Sequence, residues 1–255
     1  MNLEGLAAIV TGAASGLGAA TAERLAALGA KVAIFDVNAD LGTARATAIG
    51  GRFCKVDVTD EASVTTALDE AEAAHGKARI LVNCAGIAPP AKIIGRDGSP
   101  LPLADFARII NINLIGTFNL LSKMAARIHD AEPLDEDGQR GVIINTASVA
   151  AYEAQIGQPA YGASKAGVVG LTLPAARELA RYGIRVMTIA PGIMETPMLL
   201  GMPADVQDAL GKMVPFPSRM GKPAEYAALV EHIFSNSYLN GEVIRLDGAI
   251  RMAAK

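Results

Sequence analysis

Three side chains in residues 148–165, SVAAYEAQIGQPAYGASK, have the types and spacing to move a proton. Tyr161 precedes Lys165 by four positions, one helical turn, so a helix opening here places phenol and ammonium on one face. A phenol titrates near pH ~10 and is a poor acid or base at neutrality, but a neighbouring cation favours the phenolate and draws it toward the working range. Ser148 lies thirteen residues before Tyr161 and supplies a hydroxyl that could hold a substrate oxygen. A lone Y-x-x-x-K more often describes an alanine- and glycine-rich helix start with a packed tyrosine and a solvated lysine. The elements around it decide between the two.

Those elements begin with a short apolar run at residues 6–10, LAAIV, which lacks helical periodicity and reads as a buried strand. It leads into TGAASGLG, with Gly12, Gly16 and Gly18, and then an alanine- and leucine-rich helix to Leu28 that stops at Gly29. A strand, a glycine turn and a helix N-terminus together suit a pyrophosphate, because glycines admit the backbone closely and free amides face the anion. The same turn could be purely structural.

A second strand, residues 31–35, ends in Asp36, eighteen residues after Gly18, where a dinucleotide site places an acid on the adenosine ribose. A carboxylate there accepts from both ribose hydroxyls and repels a 2′-phosphate, and neither Ala13 nor Val37 offers a base to bind one. The expected cofactor is therefore NAD, with an aspartate that only caps the next helix as the alternative. A third strand at residues 52–56 delivers Asp57 and Val58, where Asp57 could cap a helix or meet adenine. A fourth at residues 79–82 delivers Asn83, Cys84, Ala85 and Gly86 to the carboxyl end of the sheet, where ligands bind. Strands at 141–145, 184–189 and 242–246 complete a set of seven, alternating with helices, so the fold class is α/β: one doubly wound, mostly parallel sheet with helices on both faces, in a single domain spanning residues 1–255.

Residues 87–103 are interrupted by prolines and glycines and read as a long loop, which in a compact domain is usually functional or mobile. One long helix is expected from Asp105 to about His129, with Asn111 and Asn113 inside it where a helix gains nothing from asparagine. Either could serve only a neighbouring carbonyl. Residues 193–217, rich in proline and methionine, suggest a mobile apolar lid over a substrate pocket, although methionines also fill cores.

Composition narrows the class of function. The net charge of −3 gives no basic footprint for nucleic acid or an anionic membrane. Cys54 and Cys84 lack CxxC spacing and read as free thiols, and His75, His129 and His232 are scattered, so no metal site is expected. Residues 5–22 are uncharged but contain four glycines and no compact apolar run, which fits neither signal peptide nor membrane span.

TGAASGLG, Asp36, Asp57, NCAG, Asn113, Ser148, Tyr161 and Lys165, in this order, resemble the short-chain dehydrogenase/reductase family over essentially the whole chain. The resemblance implies a Rossmann fold, a nicotinamide cofactor and a catalytic tetrad of Asn113, Ser148, Tyr161 and Lys165. It assigns the pyrophosphate to Gly12, Ser15, Gly16, Leu17 and Gly18, the ribose to Asp36, and the adenine to Asp57 and Val58. Asn83, Cys84, Ala85 and Gly86 would line the cofactor, with Pro191, Gly192, Met194 and Thr196 on the nicotinamide side; Lys165 would hold the nicotinamide ribose and Asn113 a proton-relaying water. Ser148, Gln158 and Tyr161 would meet substrate. Cys84 departs from the family, which more often has a second asparagine there; the cysteine backbone could still meet the cofactor.

Four further stretches, RGVIINTASVAAYEAQIGQPAYGASK, GIRVMTIAPGIMETPML, VPFPSRMGKPAEYA and LNGEVIRLDGAIRM, are similar to the branch of the family that interconverts 3-hydroxyacyl-CoA and 3-oxoacyl-CoA. An acyl-CoA substrate and a homotetramer are what this resemblance implies. It fades in residues 87–103, in the acidic loop 133–140 and in residues 194–211, the parts that would touch an acyl chain. That branch works in mitochondria, but no basic amphipathic presequence precedes the first strand, so a cytoplasmic, bacterial setting is expected. The alternatives are a dehydrogenase for a free alcohol, steroid or sugar, and a cofactor-binding scaffold without turnover.

Overall fold

Apolar runs without helical period become strands in the computed structural model, which describes residues 3–254. They are β1 (Ala7–Thr11), β2 (Lys31–Asp36), β3 (Arg52–Lys55), β4 (Ile80–Asn83), β5 (Gly141–Thr146), β6 (Ile184–Pro191) and β7 (Val243–Leu246). Every residue of β1, β4, β5 and β6 is buried, as expected of central strands covered on both faces. The sheet order is β3-β2-β1-β4-β5-β6-β7 and every pairing is parallel, so the expectation of a mostly parallel sheet sharpens to a wholly parallel one among the described residues. The chain reverses direction across the sheet between β1 and β4, and that switch point opens a crevice at the carboxyl ends of the strands.

The helices are α1 (Gly16–Ala27), α2 (Ala39–Ile49), α3 (Glu61–His75), α4 (Leu103–Ile110), α5 (Gly116–Ile128), α6 (Ala150–Glu153), α7 (Pro159–Leu179), α8 (Pro197–Leu200), α9 (Ala204–Lys212) and α10 (Pro223–Ser235). Val64 and Leu68 of α3, Leu120, Met124 and Ile128 of α5 and Ala175 of α7 form a core on one face of the sheet. Leu25 of α1, Ala46 of α2 and Tyr226, Val230, Ile233 and Phe234 of α10 form the core on the other. Asn38 caps α2 by accepting from the Leu41 amide, and Asp60 caps α3 by accepting from Ala62 and Ser63. Neither Asp36 nor Asp57 is therefore the cap of the helix that follows it.

Two elements differ from the sequence reading. The single helix expected from Asp105 starts at Leu103 and is interrupted at Asn111–Ile115 by a π-helical turn, in which the Gly116 amide donates to the Asn111 carbonyl. A π turn inserts one extra residue per turn into an otherwise helical pattern, and hydrophobic spacing over five residues does not separate the two. Residues 193–217 are not loop throughout: Pro197, at the first position of α8, starts one short helix, and α9 follows.

Candidate active site

The carboxyl ends of β4 and β5 and the first turns of α7 bring the chemically capable residues together. Ser148 follows β5 and is buried, while Tyr161 and Lys165 stand one turn apart on α7, Tyr161 half-buried and Lys165 buried. The Ser148 hydroxyl faces the Tyr161 phenol and favours its ionised form, and the Ser148 oxygen accepts from the Ala150 amide at 3.1 Å. Lys165 Nζ lies 5.9 Å from the centroid of the Tyr161 ring and donates to the Thr146 carbonyl at 2.7 Å.

Burial dominates the electrostatics. It pushes the Tyr161 phenol above its ordinary value, with the Ser148 hydroxyl pulling the other way. It lowers the Lys165 ammonium to about 8, against a smaller opposing effect of Cys84. Spacing suggests a cation that draws the phenol down. In the folded chain desolvation acts first on both groups, leaving Tyr161 protonated and Lys165 charged at neutral pH.

Asn113, in the π turn, is fully buried. Its Nδ2 donates to the Ile87 carbonyl at 2.9 Å and to Ser164 Oγ at 3.0 Å, and its Oδ1 accepts from the Ile87 amide at 2.8 Å. Ser164 Oγ in turn donates to the Tyr161 carbonyl at 2.7 Å. The side chain thus ties the segment after β4 to the helix that carries Tyr161 and Lys165. Gly86 stands where these meet, since a Cβ there would lie 3.1 Å from Asn113 Oδ1 and 3.5 Å from Lys165 Nζ.

The glycine turn lies across the crevice. Gly12 has φ +61°, and a Cβ on it would approach the Ala85 Cα to 2.8 Å, so only glycine lets the turn sit against the end of β4. Thr11 Oγ1 closes that junction by accepting from the Cys84 and Ala85 amides, each at 3.1 Å. Gly16, at φ +57°, opens α1, and the exposed Ser15 before it makes no side-chain bond to the helix amides. Gly18 packs on the Gly12 backbone, and Leu17 packs partly on the core with its carbonyl accepting from Thr21. A narrow glycine turn, a helix end without a side-chain cap and the acid at the end of β2 fit a dinucleotide. Asp36 Oδ2 accepts from the Ala14 amide at 3.0 Å and Oδ1 from the Asn38 amide at 2.9 Å, which fixes the carboxylate beside the turn.

The outlying residues divide. Asp57 is exposed and accepts from the amide and hydroxyl of Thr59, whereas Val58 is buried beside Gly116. Pro191 is buried and Gly192 rests on the Asp247 backbone. Thr196 stands at the N-terminus of α8 close to Gly16, without a side-chain bond to the helix amides, whereas the Met194 side chain is buried in the core. Gln158 precedes α7, with its Oε1 accepting from the Gln155 amide at 3.0 Å. Cys84 turns its thiol away from the crevice, toward Thr146 and Tyr226. Thr11, Thr146, Ser164 and Tyr226 escape the sequence reading. Ser164, three positions after Tyr161, had a usable signal; the others are joined only by the fold.

A dinucleotide-type glycine turn facing a Ser-Tyr-Lys centre across the switch point of a parallel sheet defines a class of oxidoreductase. The family model for short chain dehydrogenases matches residues 6–207, and the chain belongs to the short-chain dehydrogenase/reductase family, whose members work with a nicotinamide dinucleotide. Within it, the 3-hydroxyacyl-CoA dehydrogenase type-2 of Homo sapiens is 54% identical over 254 residues, covering 98% of this chain and 97% of the relative. The Drosophila melanogaster protein of the same name is 52% identical, covering 96% of each. The crystal structure of 3-hydroxyacyl-CoA dehydrogenase type-2 from Mycobacterium avium superposes with a TM-score of 0.94 at 44% identity, covering 100% of both chains. Among the described residues, no helix is long and apolar enough to cross a membrane and no cluster of His, Cys, Asp or Glu could hold a metal ion.

Proposed function

We propose that the chain is an NAD-dependent dehydrogenase that interconverts 3-hydroxyacyl-CoA and 3-oxoacyl-CoA in the cytoplasm. The observation that carries the reading is the gathering of Ser148, Tyr161 and Lys165 at the carboxyl end of β5 and the start of α7, facing the switch point, in a chain 54% identical over almost its full length to a relative of that name. The preference for NAD rests on Asp36, whose fixed carboxylate stands beside the glycine turn with the apolar, exposed Val37 next to it. A 2′-phosphate brought there would meet a negative charge.

Gly12, Ser15, Gly16, Leu17 and Gly18 would hold the pyrophosphate, Asp36 the adenosine ribose, and Asp57 and Val58 the adenine. Asn83, Cys84, Ala85 and Gly86 would line the cofactor through their backbone, and Pro191, Gly192, Met194 and Thr196 would flank its nicotinamide end. The bound nicotinamide supplies the hydride acceptor in oxidation and the hydride donor in reduction. Ser148 donates to the substrate oxygen and holds it at the phenol. In reduction Tyr161 gives its proton to that oxygen; in oxidation the Tyr161 phenolate takes the proton from the 3-hydroxyl. Lys165 stabilises the phenolate and holds the nicotinamide ribose, and Asn113 keeps both residues of α7 in register with the end of β4. Because burial holds the Tyr161 proton tightly, oxidation gains rate as pH rises while reduction is supported at neutral pH.

Gln158 and residues 192–217 would shape the acyl pocket. A homotetramer is part of the proposal, and Ile115, Phe118 and Leu173, about half exposed on the long helices, supply an apolar surface for it. Sedimentation equilibrium should return a four-chain mass, and a monomer would remove that part. The test of substrate class is a panel of 3-oxoacyl-CoA thioesters of increasing chain length beside free ketones, steroids and sugars. The thioesters are expected to give the highest kcat/KM with NADH, and preference for a free ketone would defeat the assignment.

A further inference from the structure

We infer that Tyr226 is a positioning residue for Lys165, acting through Thr146 from α10 on the opposite face of the sheet. The inference rests on the proposed role of Lys165 beside Tyr161. Among the described residues Tyr226 is the largest fully buried side chain, and its ring lies in the apolar core under the sheet. A phenol hydroxyl in such surroundings is costly unless it is bonded. Its oxygen lies 2.7 Å from Thr146 Oγ1 and 3.8 Å from the Cys84 thiol.

The proton inventory gives this cluster a direction. Thr146 Oγ1 is 2.6 Å from the Asn83 carbonyl, which can only accept, so the single Thr146 hydroxyl hydrogen is committed there. Tyr226 must then donate to Thr146, and the Cys84 S–H is left to donate into this pair, with Thr146 Oγ1 at 3.6 Å and the Tyr226 oxygen at 3.8 Å. Burial holds both Tyr226 and Cys84 above their ordinary values, so both keep their protons through the neutral range. The result is an ordered run from phenol to hydroxyl to carbonyl, flanked by the Cys84 thiol, that joins α10 to the ends of β4 and β5.

Thr146 is where this run reaches the chemistry. Its carbonyl accepts from Lys165 Nζ at 2.7 Å, while the Ala147 amide after it is pinned to the Ile189 carbonyl at 2.8 Å. The hydroxyl and the carbonyl belong to one residue, so what fixes the first aims the second. The titratable groups facing Lys165 are Tyr161 on its own helix, Cys84 at the end of β4 and, through Thr146, Tyr226 on α10. Asn113 and Ser164 add neutral polar contacts nearby.

The test is the pH profile of kcat/KM with NADH and the fastest substrate of the panel, for wild type, Tyr226→Phe, Thr146→Val, Thr146→Ser and Lys165→Ala, with melting temperatures recorded alongside. Tyr226→Phe and Thr146→Val should each lower kcat about 10-fold and displace the profile by about half a pH unit, and Thr146→Ser, which keeps the hydroxyl, should restore it. A purely structural role would lower the melting temperature and leave the profile in place. Should Tyr226→Phe prove too unstable, the Thr146→Val and Thr146→Ser pair carries the same comparison. An undisplaced profile in Tyr226→Phe and Thr146→Val overturns the inference. Retained turnover in Lys165→Ala would instead bring down the reading of Lys165, and this inference with it.

Discussion

The strand ends that carry the proposed chemistry and the two segments that would meet substrate are built in opposite ways. At the strand ends, Asn83, Asn113, Thr146, Ser148 and Lys165 are all buried and each has partners across element boundaries. In residues 87–102 and 193–217 large apolar side chains face outward, with Ile93 68%, Ile94 65% and Phe216 83% exposed. Residues 87–102 are tied down by few backbone bonds, among them Ala91 to the Gly157 carbonyl and Leu101 to the Ile93 carbonyl. Polar networks inside a protein hold geometry because breaking any member leaves a buried group without a partner. Exposed segments carry no such constraint and can change shape and sequence freely. One fold can therefore hold its proton-moving centre constant while its substrate changes.

Substitutions at the buried centre should show this most strongly. Tyr161→Phe removes the proton-transferring hydroxyl and should lower kcat by roughly 10²- to 10⁴-fold. NADH affinity, followed by fluorescence titration, should stay within a few-fold. Turnover near wild type would show that the centre moves its proton elsewhere.

The same burial makes the centre costly to the fold. Lys165 has its ammonium lowered from 10.5 to about 8. Below pH 8 the charge is present in both folded and unfolded chains and the burial penalty is full. From about 8 to 10.5 the folded chain sheds the proton while the unfolded chain keeps it, so the penalty fades as pH rises. With no dinucleotide added, Lys165→Met should be inactive yet more stable at pH 7, by at most roughly 3 kcal/mol. The two unfolding curves should converge as pH approaches 10. A variant less stable than wild type at pH 7 would mean that the bond to Thr146 outweighs desolvation.

At the edge of the crevice effects should be smaller. Asp36→Ala removes one charged acceptor and one repulsion, and the ratio of kcat/KM for NADPH over NADH should rise about 10- to 100-fold. An unchanged ratio would remove Asp36 from the ribose. Smallest of all, Ile93→Ala with Ile94→Ala should alter preference among acyl chain lengths by about 10-fold or less, and stability by less than about 0.5 kcal/mol. A large loss of stability would show that residues 87–102 belong with the buried half of the comparison.

The parallel sheet, the glycine turn and the cluster of Ser148, Tyr161 and Lys165 were legible because local patterns encode them. Buried strands are apolar runs, a turn at φ +61° demands Gly12, and four positions make one helical turn. What escaped depends on partners far apart in the chain. Thr146 meets Tyr226 eighty positions later, and neither residue type alone signals the bond. The π turn at Asn113 has the same apolar pattern as an α-helix, and the short helices in residues 193–217 were hidden among prolines and methionines. The order of the Tyr161 and Lys165 ionisations follows from desolvation, which spacing does not report.

The central claim is that this buried constellation reduces a 3-oxoacyl thioester with NADH. Steady-state loss of NADH absorbance with acetoacetyl-CoA tests it most directly. The expected result is saturable turnover that is faster with NADH than with NADPH and absent without the thioester; NADH that remains unoxidised with acetoacetyl-CoA and its longer homologues, in a protein that binds NADH, would contradict it.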